Sequence, residues 1–225
     1  MAYFTKEFLG FLEGLSTFNN REWFNENRAT YERAVKRPYE AFVSDLIEAI
    51  KEHEPGLRMT PREAIFRINR DVRFSKDKSP YKTHMGAIIG LGGKRMADKT
   101  GFYVHLAHDE AYVAGGAYEI SPKAVERVRR AIAKHPDEFE RLLKDRKFKS
   151  AFGSIKGEAH KRIPPEFQNA YERQPLIANK QFYWMADLGG PEAALRDDLL
   201  KHVMKYYVAG KGMTRFLDDA LWKHL

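Results

Sequence analysis

The segment from Arg67 to Tyr81 reads RINRDVRFSKDKSPY and gathers five basic and two acidic side chains beside a few apolar ones. Arginine presents a planar fork that holds a phosphate or carboxylate in bidentate fashion, and lysine adds a compact point charge. On an extended chain, Arg67, Asn69, Asp71 and Arg73 would line one side at intervals of about 6.5 to 7 Å, a ladder of donors with one carboxylate inside it. Such a ladder is an anion cradle, in which Asp71 would orient the guanidinium groups or abstract a proton. The turn that follows supplies Lys76, Lys78, Tyr81 and Lys82, placed to close over a ligand. The competing reading is structural, with Asp71 and Asp77 pairing to neighbouring cations to hold the turn. Arg70 falls on the apolar side of the same pattern, where an unpaired guanidinium would be costly, so a carboxylate or several carbonyls should meet it.

Histidines offer a titratable group near neutral pH, and two lie in reach of this chemistry. His105, with Tyr103, would face the arginine ladder if its strand pairs in the same sheet, and would serve as an acid. His84, just after the motif, is the second candidate. The run HLAHDE, His105 to Glu110, carries metal-capable side chains, but a three-residue spacing on a strand sends His105 and His108 to opposite faces, so no metal is expected. GLGGK, Gly90 to Lys94, lacks the spacing of a phosphate loop and reads as a hairpin turn. There is no GxSxG, HExxH or GxGxxG, which sets aside nucleophile-elbow hydrolases, zincins and Rossmann dinucleotide sites.

The motif, together with NNREWF at Asn19 to Phe24, resembles the family known as domain of unknown function 2461, whose signature has the form RxxRDxRFxxxDKxxY. Arg67, Arg70, Asp71, Arg73, Phe74, Asp77, Lys78 and Tyr81 meet its fixed positions. The resemblance spans nearly the full chain and implies no established activity. Within NNREWF, Trp23 and Phe24 read as core anchors and Asn20 as a helix cap. The resemblance keeps Arg21 and Trp23 as neighbours of a site.

These residues must be positioned by the rest of the chain. Thr5 precedes a helical stripe of Phe8, Phe11, Leu12 and Leu15; Asn20 precedes Phe24, Tyr31 and Val35; Pro38 opens a third helix carrying Phe42, Val43, Leu46, Ile47 and Ile50. The period then changes to two. Residues 64–74 are expected as a strand with Phe66, Ile68, Val72 and Phe74 toward the helices. Met85 to Leu91, Gly101 to Ala107 and Ala111 to Ala117 continue an antiparallel meander. Ser121 and Pro122 start a helix with Val125, Val128 and Ile132 inward, and Phe139, Leu142 and Leu143 mark another after Pro136. Residues 147–190 are irregular, with Phe182 to Trp184 as a last strand. A long C-terminal helix is expected to break near Gly210 and Gly212 before a final short one. The fold class is α+β, an antiparallel sheet meander flanked by N-terminal and C-terminal helices.

Composition bounds the rest. The 225 residues are 43% hydrophobic and 31% charged, sufficient for one domain spanning 1–225. Without cysteine there are no disulfides and no thiolate sites. No apolar run reaches membrane length and no leader opens the chain, so a cytoplasmic home without a membrane partner is expected. The net charge of +8 favours phosphate-rich partners where it clusters. The expected function is binding or turnover of a phosphorylated or other anionic small molecule through residues 67–82. The alternatives are nucleic-acid binding and a structural protein whose motif is a fold-stabilising charge network. The ligand, any cofactor, any reaction and the oligomeric state are not specified by the sequence.

Overall fold

The computed structural model describes residues 2–90 and 97–222. The chain opens with α1 (Lys6–Thr17), which buries Phe8, Phe11, Leu12 and Leu15 as their spacing predicts; Thr5 makes no side-chain capping bond to it. Helix α2 (Arg21–Glu26) starts where the Asn20 side chain accepts the Trp23 backbone N–H at 2.8 Å. A short α3 (Arg28–Thr30) runs through a π-helical stretch, Tyr31–Lys36, directly into α4 (Arg37–Lys51). Pro38 therefore sits in the first turn of α4, and the expected inward stripe from Phe42 to Ile50 is buried. A single-turn α5 (Pro61–Ala64) is held by a capping box between Thr60 and Glu63.

Four strands follow: β1 (His84–Ile89), β2 (Gly101–Ala107), β3 (Ala111–Ala117) and, after α6 (Pro122–Lys134), α7 (Pro136–Lys144), α8 (Arg146–Phe152) and α9 (Gln168–Arg173), β4 (Phe182–Asp187). They hydrogen-bond in the order β1-β2-β3-β4 as an antiparallel sheet, so the α+β class holds. The expected turn at Gly90 to Lys94 lies largely outside the described residues. The last helix, α10 (Leu199–Trp222), is continuous. The break expected at Gly210 and Gly212 does not occur, because those glycines serve close approach. A Cβ on Gly210 would meet Trp184 Nε1 at 2.8 Å, and one on Gly212 would meet Leu142 at 3.0 Å.

The chain packs as two compact units: Met1–Ile89, Tyr103–Val113 and Asp187–Met204 in the first, and Gly90–Phe102, Ala114–Ala186 and Lys205–Leu225 in the second. In the first, Phe4 lies 4.3 Å from Phe8 between ring centroids, and the buried Tyr39 hydroxyl donates to the Val104 carbonyl at 3.3 Å. In the second, Trp184 packs edge-on to Phe148 at 5.3 Å, and Phe139 meets Phe216 at 5.2 Å. No described helix is long and apolar enough to cross a membrane.

Residues 64–74 do not form the expected strand. The chain pairs with the 80–87 segment only at isolated bridges, Ile65 with Ala87 and Asn69 with Tyr81. Phe66 N donates to Gly86 O at 2.9 Å, and Lys82 N to Ile68 O at 2.8 Å. Beyond Arg70 the pairing stops, because Asp71 accepts the backbone N–H of Arg73 and bends the chain as an Asx turn. Of the four residues expected to face the helices, only Ile68 is buried. Phe66 and Val72 are half-buried, and Phe74 is 95% exposed.

Candidate functional site

The ladder inferred from the sequence becomes a set of local pairs. Arg73 donates to Asp71 through Nε at 2.9 Å and Nη2 at 2.7 Å, a bidentate bond that holds the Asp71 carboxyl down at about 2. A carboxylate that acidic is a weak base at neutral pH, so the role of proton abstractor does not suit Asp71. Arg70 is paired with Asp77, which also accepts the Ser79 hydroxyl at 2.6 Å and the Ser79 N–H at 2.9 Å. The Ser79 bond, then that of Arg70, holds Asp77 well below the usual carboxylate range. The carboxylate partner required for Arg70 is thus present, seven residues along the chain. Lys78 Nζ donates to the Val72 carbonyl at 3.0 Å. Arg67 is exposed and forms no hydrogen bond or ion pair among the described residues.

Tyr81 is buried rather than presented to a ligand. Its ring stacks on Phe24 at 4.1 Å, and its backbone is gripped by the Asn19 side chain, which donates to Tyr81 O at 3.0 Å and accepts from Tyr81 N at 3.1 Å. One amide thereby copies the two bonds of a strand neighbour. This grip ties the NNREWF segment to the motif 62 residues away. Trp23 is half-buried against Phe11 at 5.3 Å, whereas Arg21 is exposed.

The side chains that do converge lie one step further along. Strand alternation sends Val104 and Leu106 into the core and Tyr103 and His105 to the other face. On that face His105 stacks on His84 at 4.2 Å and on Tyr112 at 4.4 Å. Its Nδ1 lies 3.2 Å from the Tyr103 hydroxyl and its Nε2 lies 3.1 Å from Glu110 Oε1. Gly86 makes room, since a Cβ there would sit 2.6 Å from the Tyr103 hydroxyl. Phe66 packs edge-on to Tyr103 at 6.2 Å, and Lys82 Nζ lies 5.1 Å over the Phe66 ring. So Lys82 borders the histidine cluster, but Arg67, Asn69 and Arg73 form no hydrogen bond, ion pair or ring contact with His105.

Glu110 and Tyr112 escaped the sequence reading as site residues. The tight turn in which Ala107 N donates to Glu110 O at 2.9 Å places residue 112 opposite residue 105. A two-residue turn at His108 and Asp109 was the signal that could have found them.

Burial dominates the electrostatics of this face. It lowers His84 to about 4, with Lys82 adding to the effect, and lowers His105 to about 3, with His84 adding to it. Burial also pushes the Tyr103 phenol up. Burial thus makes the imidazole a weaker base and the phenol a weaker acid than either is in water. Proton transfer from Tyr103 to His105 is therefore disfavoured in the unliganded protein, in which a neutral His105 bridges the Tyr103 hydroxyl and the Glu110 carboxyl group through its two ring nitrogens. Among the described residues no group of three acidic or histidine side chains is arranged to hold a metal.

A family model described as "Conserved hypothetical protein (DUF2461)" matches residues 7–216. No curated protein matches the chain.

Proposed function

We propose, for a chain that belongs to the DUF2461 family, that it binds a small molecule carrying an anionic group. The group sits beside Lys82, and the rest of the molecule lies on the rings of Phe66, His84, Tyr103 and Tyr112, which surround the buried His105. The observation that carries this reading is the placement of a lysine at the edge of stacked rings that burial keeps neutral. Neutral imidazoles and phenols offer flat apolar area together with hydrogen bonds, which suits a ring-bearing ligand. An anion beside Lys82 and His84 raises the pKa of both histidines, so His105 acts as an acid only once the ligand is bound. Any chemistry thus follows binding.

A second reading is favoured by the pairs within the motif, Arg70 with Asp77 and Arg73 with Asp71, which make residues 70–79 a fold-holding network. A thermal-shift screen of phosphorylated metabolites and short oligonucleotides separates the readings, because a ligand of the folded state raises its melting temperature by mass action. Lys82→Ala and His105→Gln should each abolish the shift, and Arg73→Ala should keep it. Loss in Arg73→Ala with the fold intact would instead return the anion to residues 67–78. If only oligonucleotides act, with steep salt dependence, the protein binds nucleic acid. If no compound shifts the wild type, the network reading stands.

A further inference from the structure

In the second unit, Arg129 on α6 is only 6% exposed. Its Nε donates to the Ile177 carbonyl at 2.7 Å, and its Nη2 is buried with no partner. No carboxylate pairs with it among the described residues. Glu126, one turn earlier, is bonded to Arg130 through both Nε and Nη2. A buried guanidinium with an unmatched nitrogen and no paired carboxylate is costly for a fold to retain, and a bound anion would offset that cost.

The surroundings say where that anion would come from. The carbonyl next to the Arg129 acceptor, Ala178 O, takes the His160 backbone N–H at 2.7 Å, so the His160 segment runs beside the guanidinium. His160 is exposed, which places Arg129 beside a solvent-facing surface. After burial itself, Arg129 and Lys180 are the charges that push the His160 ring below its ordinary pKa. Lys180 is occupied by Glu158 at 3.0 Å, leaving Arg129 as the one of these two cations without a carboxylate partner among the described residues.

We propose that Arg129 anchors an oxyanion site that takes one phosphate or carboxylate group of a small molecule, entering past His160 and Lys180. The site is separate from the face around Tyr103 and does not depend on the reading given for it. The guanidinium fork supplies two parallel donors, and the anion supplies the charge that the protein lacks there.

The test uses the full chain, melted in sodium phosphate, sodium acetate and sodium chloride at matched ionic strength. Phosphate or acetate should raise the wild-type melting temperature above that in chloride, and which of them acts identifies the group. Arg129→Lys should show a reduced response and Arg129→Met none. In chloride Arg129→Met should melt no lower than wild type, since it removes an unpaired buried charge at similar volume. The His160 ring signals of the wild type, followed by NMR during a phosphate or acetate titration, give a readout that needs no variant and should move and saturate. Static His160 signals with no anion-specific melting shift would overturn the proposal, as would an Arg129→Met variant that keeps the full response.

Discussion

At the scale of single residues, what a charged group can do here is decided by its neighbours. Asp71, held at about 2 by Arg73, keeps its charge through the physiological range and positions an arginine. His84 and His105, held at about 4 and 3, stay neutral where an unfolded chain would begin to protonate them near 6.5. Between those values the unfolded state binds more protons, so acid favours unfolding. Stability should fall as pH drops from about 6.5 toward 4, by up to about 1.4 kcal/mol per pH unit for each histidine. Urea melts across that range check this, and His105→Gln should flatten the slope. A pH-independent stability from 7 to 4 would mean the two rings are charged or exposed. Arg70→Ala breaks its pair with Asp77, but with the Arg70 side chain 27% and the Asp77 side chain 58% exposed, solvent screens the loss. The melting temperature should drop by only about 2–4 °C.

At the scale of elements, three glycines separate three physical situations. Gly10 lies exposed within α1, and a Cβ there would enter open space, so Gly10→Ala should stabilise the protein by about 1 kcal/mol through helix propensity. Gly116 in β3 has φ +103° and a Cβ there would lie 2.3 Å from the Phe182 carbonyl, so Gly116→Ala should cost about 3 kcal/mol. Gly86 faces the hydroxyl end of the Tyr103 side chain. Gly86→Ala should displace the ring and break its bond to His105 for about 1 kcal/mol, with any ligand response at that face lost as well. Equilibrium urea unfolding of the three variants would rank them, and the reverse order for Gly10 and Gly116 would contradict the backbone assignment of both.

At the scale of the whole molecule, the chain passes between its two compact units inside regular elements: β2 changes unit at Tyr103, β3 at Ala114 and α10 at Lys205. We propose that the chain unfolds as one domain, because neither unit can lose its segment of β2 or β3 without disturbing a strand of the other. Calorimetry should show one transition whose van't Hoff and calorimetric enthalpies agree, and two resolved transitions would overturn this. Local periodicity was enough to determine the amphipathic stripes of α1, α4 and α6, the bounds of β2 and β3, and the α+β class, since each depends on residues a few positions apart. The signature from Arg67 to Tyr81 was equally legible as a pattern of residue types. What that pattern does with its charges was not, because Asp71 and Asp77 chose turns and local pairs over a ladder, a contest between strand pairing and side-chain bonds to the backbone. The grip of Asn19 on Tyr81, the stacking of His84, His105 and Tyr112, and the unpaired burial of Arg129 belong to the tertiary structure alone. Each depends on which distant backbone segments lie side by side, and that register is set by packing across the whole unit.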